Sequence, residues 1–167
     1  MTEPEAAKAQ HLRKILEGFA TGMLVTYDGD GRMHARPMAI AETRGSGEIF
    51  FATAIDSGKV AEIGADPRVN VSLQSSSRFA SLTGTARVIQ DRATIESLWS
   101  ESWRVWFPGG RNDPTLCVLA VDVEEAEYWD TSGLRGLKYL FQAARAYVTG
   151  TRPRDDPAAD HGKLEVG

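Results

Sequence analysis

Two short stretches carry side chains suited to gripping a phosphate ester. In the first, Arg36-Pro37, the guanidinium offers a planar fork of N–H donors that matches phosphate geometry. Pro37 has no N–H to give to a sheet ladder, so it requires an edge or a break in pairing. A break there leaves neighbouring backbone groups for a ligand. In the second, Thr53 stands just upstream of Ser57-Gly58-Lys59. A helix starting near Ser57 turns its unpaired N–H groups and the positive end of its dipole on whatever lies upstream. Ser57 adds a hydroxyl, Lys59 a cation, and Gly58 permits close backbone approach. The Gly-rich loop and spacing of a P-loop are missing. Each stretch also has a plain reading: a solvated arginine on an edge strand, and an N-capped surface helix.

Two further clusters could border a ligand. Trp99, Trp103, Trp106 and Phe107 place three of the chain's four tryptophans close together, beside Pro108-Gly109-Gly110. Large aromatics in an irregular stretch suit a core lid, a subunit interface or a stacking surface for a flat ring. Gln74, Ser75, Ser76 and Ser77 gather at a turn, where they could bond polar ligand edges or simply serve the turn. Other chemistries lack their parts. His11, His34 and His161 lie far apart and lack metal-ligand spacing. The single cysteine, Cys117, sits between apolar neighbours and reads as a buried inert thiol. No Gly-x-Ser-x-Gly elbow anchors a hydrolase triad.

These stretches need elements to position them. Residues 3–19 carry apolar positions at helical spacing, closed by Gly18 and Gly22. Met23–Tyr27 and Met33–Glu42 form a hairpin around Asp28-Gly-Asp-Gly31, whose residues tolerate positive φ. Alternation puts His34, Arg36, Met38 and Ile40 on one face of the second arm. Glu48–Thr53 is a third strand. A short helix follows, capped by Asp56 or Ser57 and ended by Asp66-Pro67. Val69–Gln74 and Phe79–Ile89 are strands; Asp91 caps a helix to about Ser100; Leu116–Asp130 is a long strand. Gly136–Val148 reads as a closing amphipathic helix. The chain therefore divides into one domain over 1–149 and a polar, Pro-broken tail over 150–167. Six strands joined mostly by tight turns, without βαβ alternation, predict a mostly β, antiparallel barrel with peripheral helices.

The composition fits that frame. A chain of 167 residues, 42% hydrophobic and 25% charged, has the balance of one ordinary globular domain. A net charge of −4 gives no broad basic surface for nucleic acid or anionic lipid. No stretch nears the roughly 20 apolar residues of a membrane span, and the acidic start is unlike a signal peptide. A cytoplasmic, reducing setting is expected.

Six pieces, in order over about residues 10–148, make the chain resemble the general stress protein branch of the pyridoxamine 5′-phosphate oxidase-like flavoproteins. They are His34-Ala-Arg-Pro-Met38, Phe50-Phe-Ala-Thr53 with Ser57-Gly-Lys59, Asp66-Pro-Arg-Val-Asn70, Phe79-Ala-Ser-Leu-Thr-Gly84, Trp106-Phe-Pro-Gly-Gly110 with Asp113-Pro114, and Ala126-Glu-Tyr-Trp-Asp130. The resemblance implies an FMN-binding split barrel of six strands and a homodimer with one flavin in each of two interface clefts. It implies that Arg36, Ser57 and Lys59 hold the FMN phosphate and that Thr53 reaches the ribityl or phosphate region. Pro37 and Met38 would bring backbone against the isoalloxazine edge. Trp106 and Phe107 would close over the flavin from the partner subunit, and Gln74 joins the cofactor-binding set. FAD or deazaflavin F420 could occupy the same cleft, as could haem. The family's true oxidases end on a strand bearing Arg and His for the pyridoxal substrate. Gly136–Val148 is helical in character instead, so pyridoxamine phosphate oxidation is not expected. What remains is a flavin-dependent oxidoreductase passing hydride to an unassigned small molecule, or a flavin-binding stress or redox-sensing protein without turnover.

Overall fold

Strand register, more than any single element, decides which of these residues meet. A computed structural model describes residues 3–45, 47–131 and 160–166. In chain order it contains α1 (Glu3–Leu16), β1 (Thr21–Tyr27), β2 (Met33–Arg44), β3 (Glu48–Ala54), α2 (Gly58–Ala65), β4 (Arg68–Gln74) and β5 (Arg78–Ile89). There follow α3 (Arg92–Leu98), two 3-10 turns (Glu101–Val105 and Gly110–Asn112), β6 (Leu116–Asp130) and β7 (Asp160–Glu165).

The strands run β3-β2-β1-β4-β5-β6, all antiparallel, and β3 pairs again with β6. That last pairing closes a six-stranded barrel, the expected architecture. Closure matters physically, because it leaves no long sheet edge between first and last strand. The β1–β2 turn behaves as the sequence predicts. Asp28 accepts backbone N–H bonds from Asp30 and Arg32, each at 2.9 Å, and Gly31 takes a φ of +77°.

β3 and the first half of β6 are apolar on both faces because both faces are covered. Ile49 and Phe51 join the cluster that fills the barrel, with Leu24, Val71, Leu73, Leu82, Leu119 and Val121. Phe50 points the other way, into a smaller cluster with Ile95, Leu98, Phe107, Leu116 and Val118. Leu12, Ile15 and Leu16 bring α1 into the larger cluster.

The barrel splits at β2. Its first half pairs with β1 from Met33 to Ala39, whereas pairing with β3 begins only at Ile40. Between Ile40 and Glu42 the register shifts at a bulge that carries Ala41 as the extra residue. Pro37 therefore has β1 on one side, opposite Met23, and no ladder on the other. This is the break in pairing that a proline demands.

Three expectations need correction. The segment 150–167 is not a tail throughout: Asp160–Glu165 pairs with β6 as β7, and Leu164 is buried in the main core. β6 is long, and β3 occupies its edge only as far as Asp122. The backbone groups of 125–130 on that edge still need partners, and β7 supplies them. The sheet thus reaches past residue 149 and holds seven strands. α1 stops at Leu16, and Phe19 packs against the core beyond the helix end. α3 stops at Leu98, short of Ser100, although Asp91 does cap it by accepting the Thr94 N–H at 2.9 Å. The expected helix at 136–148 lies outside the described residues.

Candidate functional site

α2 crosses the barrel with Ile63 in the main core. Lys59 and Glu62, three apart, share one helix face. Ser57 sits at the N-cap with extended backbone (φ −73°, ψ 145°), yet its side chain makes no cap hydrogen bond. This corrects the expectation that Asp56 or Ser57 caps the helix. The Ser57 hydroxyl instead lies 3.5 Å from the Thr53 hydroxyl. A β-carbon at Gly58 would meet nothing within 4 Å, so the first turn of α2 is open on that side.

Lys59 Nζ donates to Thr53 Oγ1 at 2.9 Å. Burial lowers the Lys59 pKa, and the nearby positive charge of Arg36 lowers it further. Arg36 faces inward on β2, diagonal to Thr26 on β1, because Leu24 stands opposite Arg36 and Thr26 opposite His34. Its Nη1 donates to Thr26 Oγ1, and its Nη2 to Glu62 Oε2 at 2.9 Å. Thr26 also donates to Glu62 Oε2, and His34 Nδ1 lies 2.9 Å from Glu62 Oε1. The side chains of Arg36 and Glu62 are 21% and 15% exposed, so this pair is mostly withdrawn from water. Burial pushes the Glu62 carboxyl up. Hydrogen bonds from Thr26 and His34 and the Arg36 charge outweigh that, and the carboxyl ends below its ordinary value.

Beside these groups opens a cleft of about 690 Å³, within the range of small-molecule and cofactor sites. Pro37, Met38, Ala39, Ile40 and Ala41 form one wall where β2 leaves β3, and Ala52, Thr53 and Ala54 form the other. Lys59, Ser100, Ser102, Trp103, Trp106 and Phe107 complete the lining. Four alanines keep the walls low, which gives room for a flat ring. The splayed strands leave backbone groups of β2 and β3 unladdered along it. Trp106 is 78% exposed at the rim. Trp103 packs edge-to-face on Trp99 with ring centroids 5.7 Å apart.

Of the nine residues predicted from sequence, Pro37, Met38, Thr53, Lys59, Trp106 and Phe107 line this cleft. Ser57 adjoins it through Thr53, whereas Arg36 stands beside Pro37 at the end of the wall and turns its guanidinium to Thr26 and Glu62. Gln74 does not line it. It ends β4 on the exposed face, paired with Phe79, and β1 separates β4 from β2. Trp106 and Phe107 border the cleft of their own chain; Phe107 is buried in that chain's smaller core, whereas Trp106 stays exposed. Cys117 is buried beside this region, opposite Thr53 on β6, and burial pushes its thiol up to about 11.

Sequence reasoning missed Thr26, Glu62 and the role of His34. Helical spacing from Lys59 could have exposed Glu62. Thr26 gave no signal, because its place opposite His34 depends on register. Ser100, Ser102 and Trp103 reach the cleft through a 3-10 turn that no periodicity announces.

The residues fit a phosphorylated, ring-bearing cofactor: two cations and two hydroxyls adjoin a shallow-walled cleft with an exposed indole at its mouth. Among the described residues, no helix is long and apolar enough to cross a membrane.

A family model described as pyridoxamine 5′-phosphate oxidase like matches residues 7–154. The protein bli-3 of Neurospora crassa is 28% identical over 137 residues, covering 75% of this chain; the match spans 66% of the fungal protein. A structure described as a general stress protein 26 from Jannaschia sp. CCS1 superposes with a TM-score of 0.73 at 27% identity, covering 96% of this chain and 99% of that one. A general stress FMN/FAD-binding protein from Xanthomonas citri superposes with a TM-score of 0.64 at 33% identity, covering 79% of this chain and 92% of the other.

Proposed function

Since the chain belongs to the pyridoxamine 5′-phosphate oxidase-like family, we propose that it is a general-stress-type flavoprotein that holds FMN in the cleft between β2 and β3. One observation carries this reading. Arg36 on β2 is held by Glu62 on α2, one helical turn from Lys59, which with Thr53 and Ser57 stands beside a cleft whose mouth carries Trp106. The Xanthomonas citri relative, a general stress FMN/FAD-binding protein, supports it.

Each side chain has a task in this reading. Arg36, with three of its five N–H donors unused by Thr26 and Glu62, and Lys59 hold the phosphate. Ser57 and Thr53 add hydroxyls at the same place. Pro37 and Met38 present β2 backbone to the ring edge, and Trp106 and Phe107 cover the ring and exclude water. A bound flavin would supply hydride chemistry. The protein then acts as an oxidoreductase that positions a small redox substrate against the ring. The second reading is a flavin-binding stress or redox-sensing protein without turnover. It is favoured by the lining itself, in which, among the described residues, Lys59 is the one titratable side chain and is already bonded to Thr53.

The same reading makes the protein a homodimer. The outer faces of β2 and β1 carry Ala35, Pro37, Ala39, Met23 and Val25, and Met23 is 39% exposed. This weakly polar strip adjoins the cleft, and a second copy seated on it would wall the site.

The decisive experiment is to denature the purified protein and identify the released chromophore by mass, then titrate the apoprotein with FMN and follow flavin fluorescence. Released FMN, or quenching by added FMN, is the expected result. A colourless protein that leaves FMN fluorescence untouched overturns the reading. Steady oxidation of NAD(P)H by the holoprotein selects the oxidoreductase, and a bound flavin that never turns over selects the binder. Light scattering should give twice the chain mass, and a monomer with bound flavin overturns the dimer.

A further inference from the structure

Glu62 occupies an unexpected place for an anion. It lies against Arg36, in a site otherwise built to attract negative charge. Its Oε2 receives both Arg36 Nη2 and the Thr26 hydroxyl, and its Oε1 faces His34 Nδ1. Among the described residues, charged groups in this region include Lys59, Asp28 and Asp56. Asp28 lies 3.4 Å from His34 Nε2, on the far side of that ring from Glu62. Asp56 is exposed, where water and salt screen it. Glu62 is 15% exposed and stays ionised, since its pKa is lowered. Its negative charge therefore acts within the site and is weakly screened.

Resting on the phosphate-site reading above, we propose that Glu62 is a specificity-determining residue. Its carboxylate cancels one of the two cationic charges. The site is left matched to a singly charged phosphodiester as well as to a doubly charged terminal phosphate. A flavin bearing a dinucleotide-type diphosphate, with its charge spread over two phosphates, is then held nearly as well as one ending in a phosphate monoester. Without the carboxylate, two uncompensated cations would favour the concentrated dianion.

Glu62→Gln isolates the charge. A glutamine keeps an oxygen for Thr26 and Arg36 and turns an amide N–H toward the His34 ring nitrogen. Any loss of Arg36 orientation weakens both phosphorylated flavins alike and cancels in their ratio. The probes are riboflavin, FMN and FAD, titrated at pH 8 by fluorescence quenching into apoprotein of wild type, Glu62→Gln and Glu62→Asp. In wild type, the FMN and FAD dissociation constants should agree within about tenfold. In Glu62→Gln the preference for FMN should rise by about fivefold or more, the scale of one unit charge acting at short range in a partly screened site. Riboflavin should stay within about twofold, and Glu62→Asp, which keeps the charge, should hold the wild-type ratio.

An unchanged ratio in Glu62→Gln overturns the proposal, as does an equal shift in Glu62→Asp. A wild-type preference for FMN of about a hundredfold overturns it without any variant, so a Glu62→Gln protein that fails to fold leaves the matter decidable. These results leave the flavin reading intact. Wild-type protein that quenches none of the three flavins overturns that reading and this proposal together.

Discussion

Replacing Arg36 with alanine tests the site where its electrostatics are densest. The guanidinium gives one N–H to Thr26 and one to Glu62, which leaves three for a phosphate. Losing charge-assisted hydrogen bonds to an ionised ligand costs about 1.5–3 kcal/mol. FMN affinity should therefore fall roughly ten- to hundredfold, while riboflavin, which has no phosphate, should bind as before. The ligand-free protein should also suffer. Breaking a fully buried ion pair costs about 3–5 kcal/mol. Here both partners keep some exposure and Glu62 retains Thr26 and His34, so about 1–2 kcal/mol is expected. For a chain of this length that lowers the melting temperature by about 2–8 °C.

The pH dependence has a definite sign. The Glu62 pKa is lowered in the folded protein, so its contribution is present above the unfolded value and fades as pH falls through the folded one. The stability gap between wild type and Arg36→Ala should narrow on acidification through the carboxylate range. Two measurements suffice: fluorescence titration with both flavins, and thermal melts of the apoproteins from pH 7 downward. Equal weakening of FMN and riboflavin would remove Arg36 from the phosphate site. Melting curves that stay parallel at every pH would show that the pair with Glu62 contributes nothing.

Trp106→Ala should leave stability within about 0.5 kcal/mol, because the ring is exposed, yet weaken FMN and riboflavin alike by about 1 kcal/mol through lost stacking; a loss confined to FMN would contradict a ring-covering role. Gly84→Ala should destabilise by about 2–4 kcal/mol, since a β-carbon there overlaps the Asp122 carbonyl at the β5–β6 irregularity, and a melt within a degree of wild type would refute the close approach. Asp66 accepts side-chain and backbone hydrogen bonds from Arg68, which hold its carboxyl at about 2. Its contribution to stability is present above the unfolded carboxylate value and lost as pH falls toward 2, and Arg68→Ala, which removes the side-chain donors but keeps the backbone N–H, should raise its NMR titration midpoint part of the way to the ordinary range.

Much of the architecture is written in local sequence. Asp28 to Gly31 allows little but a turn, the alternation from His34 to Ile40 fixes an inner and an outer face, and Pro37 announces a gap in the ladder. Arg36, Ser57 and Lys59 stand out because each type suits an anion and each sits where a strand or a helix start presents it. Gln74 shows the limit of such reading, since a polar side chain at a turn looks the same whether it faces a ligand or water. The tail shows another, because β7 exists only where β6 has edge groups left without partners, and that is visible only once β3 has been placed.

The chain alone determined its first six strands, its turns and the residue types that answer a phosphate, because these follow from backbone sterics and side-chain chemistry within a few positions. Tertiary structure decided which of them meet. The β1–β2 register sets Thr26 diagonal to Arg36, α2 lays Glu62 against that guanidinium, and closure of β3 on β6 opens the cleft at the split. Those contacts join residues tens of positions apart, and only the barrel's long-range hydrogen-bonded pairing holds them within reach of one another.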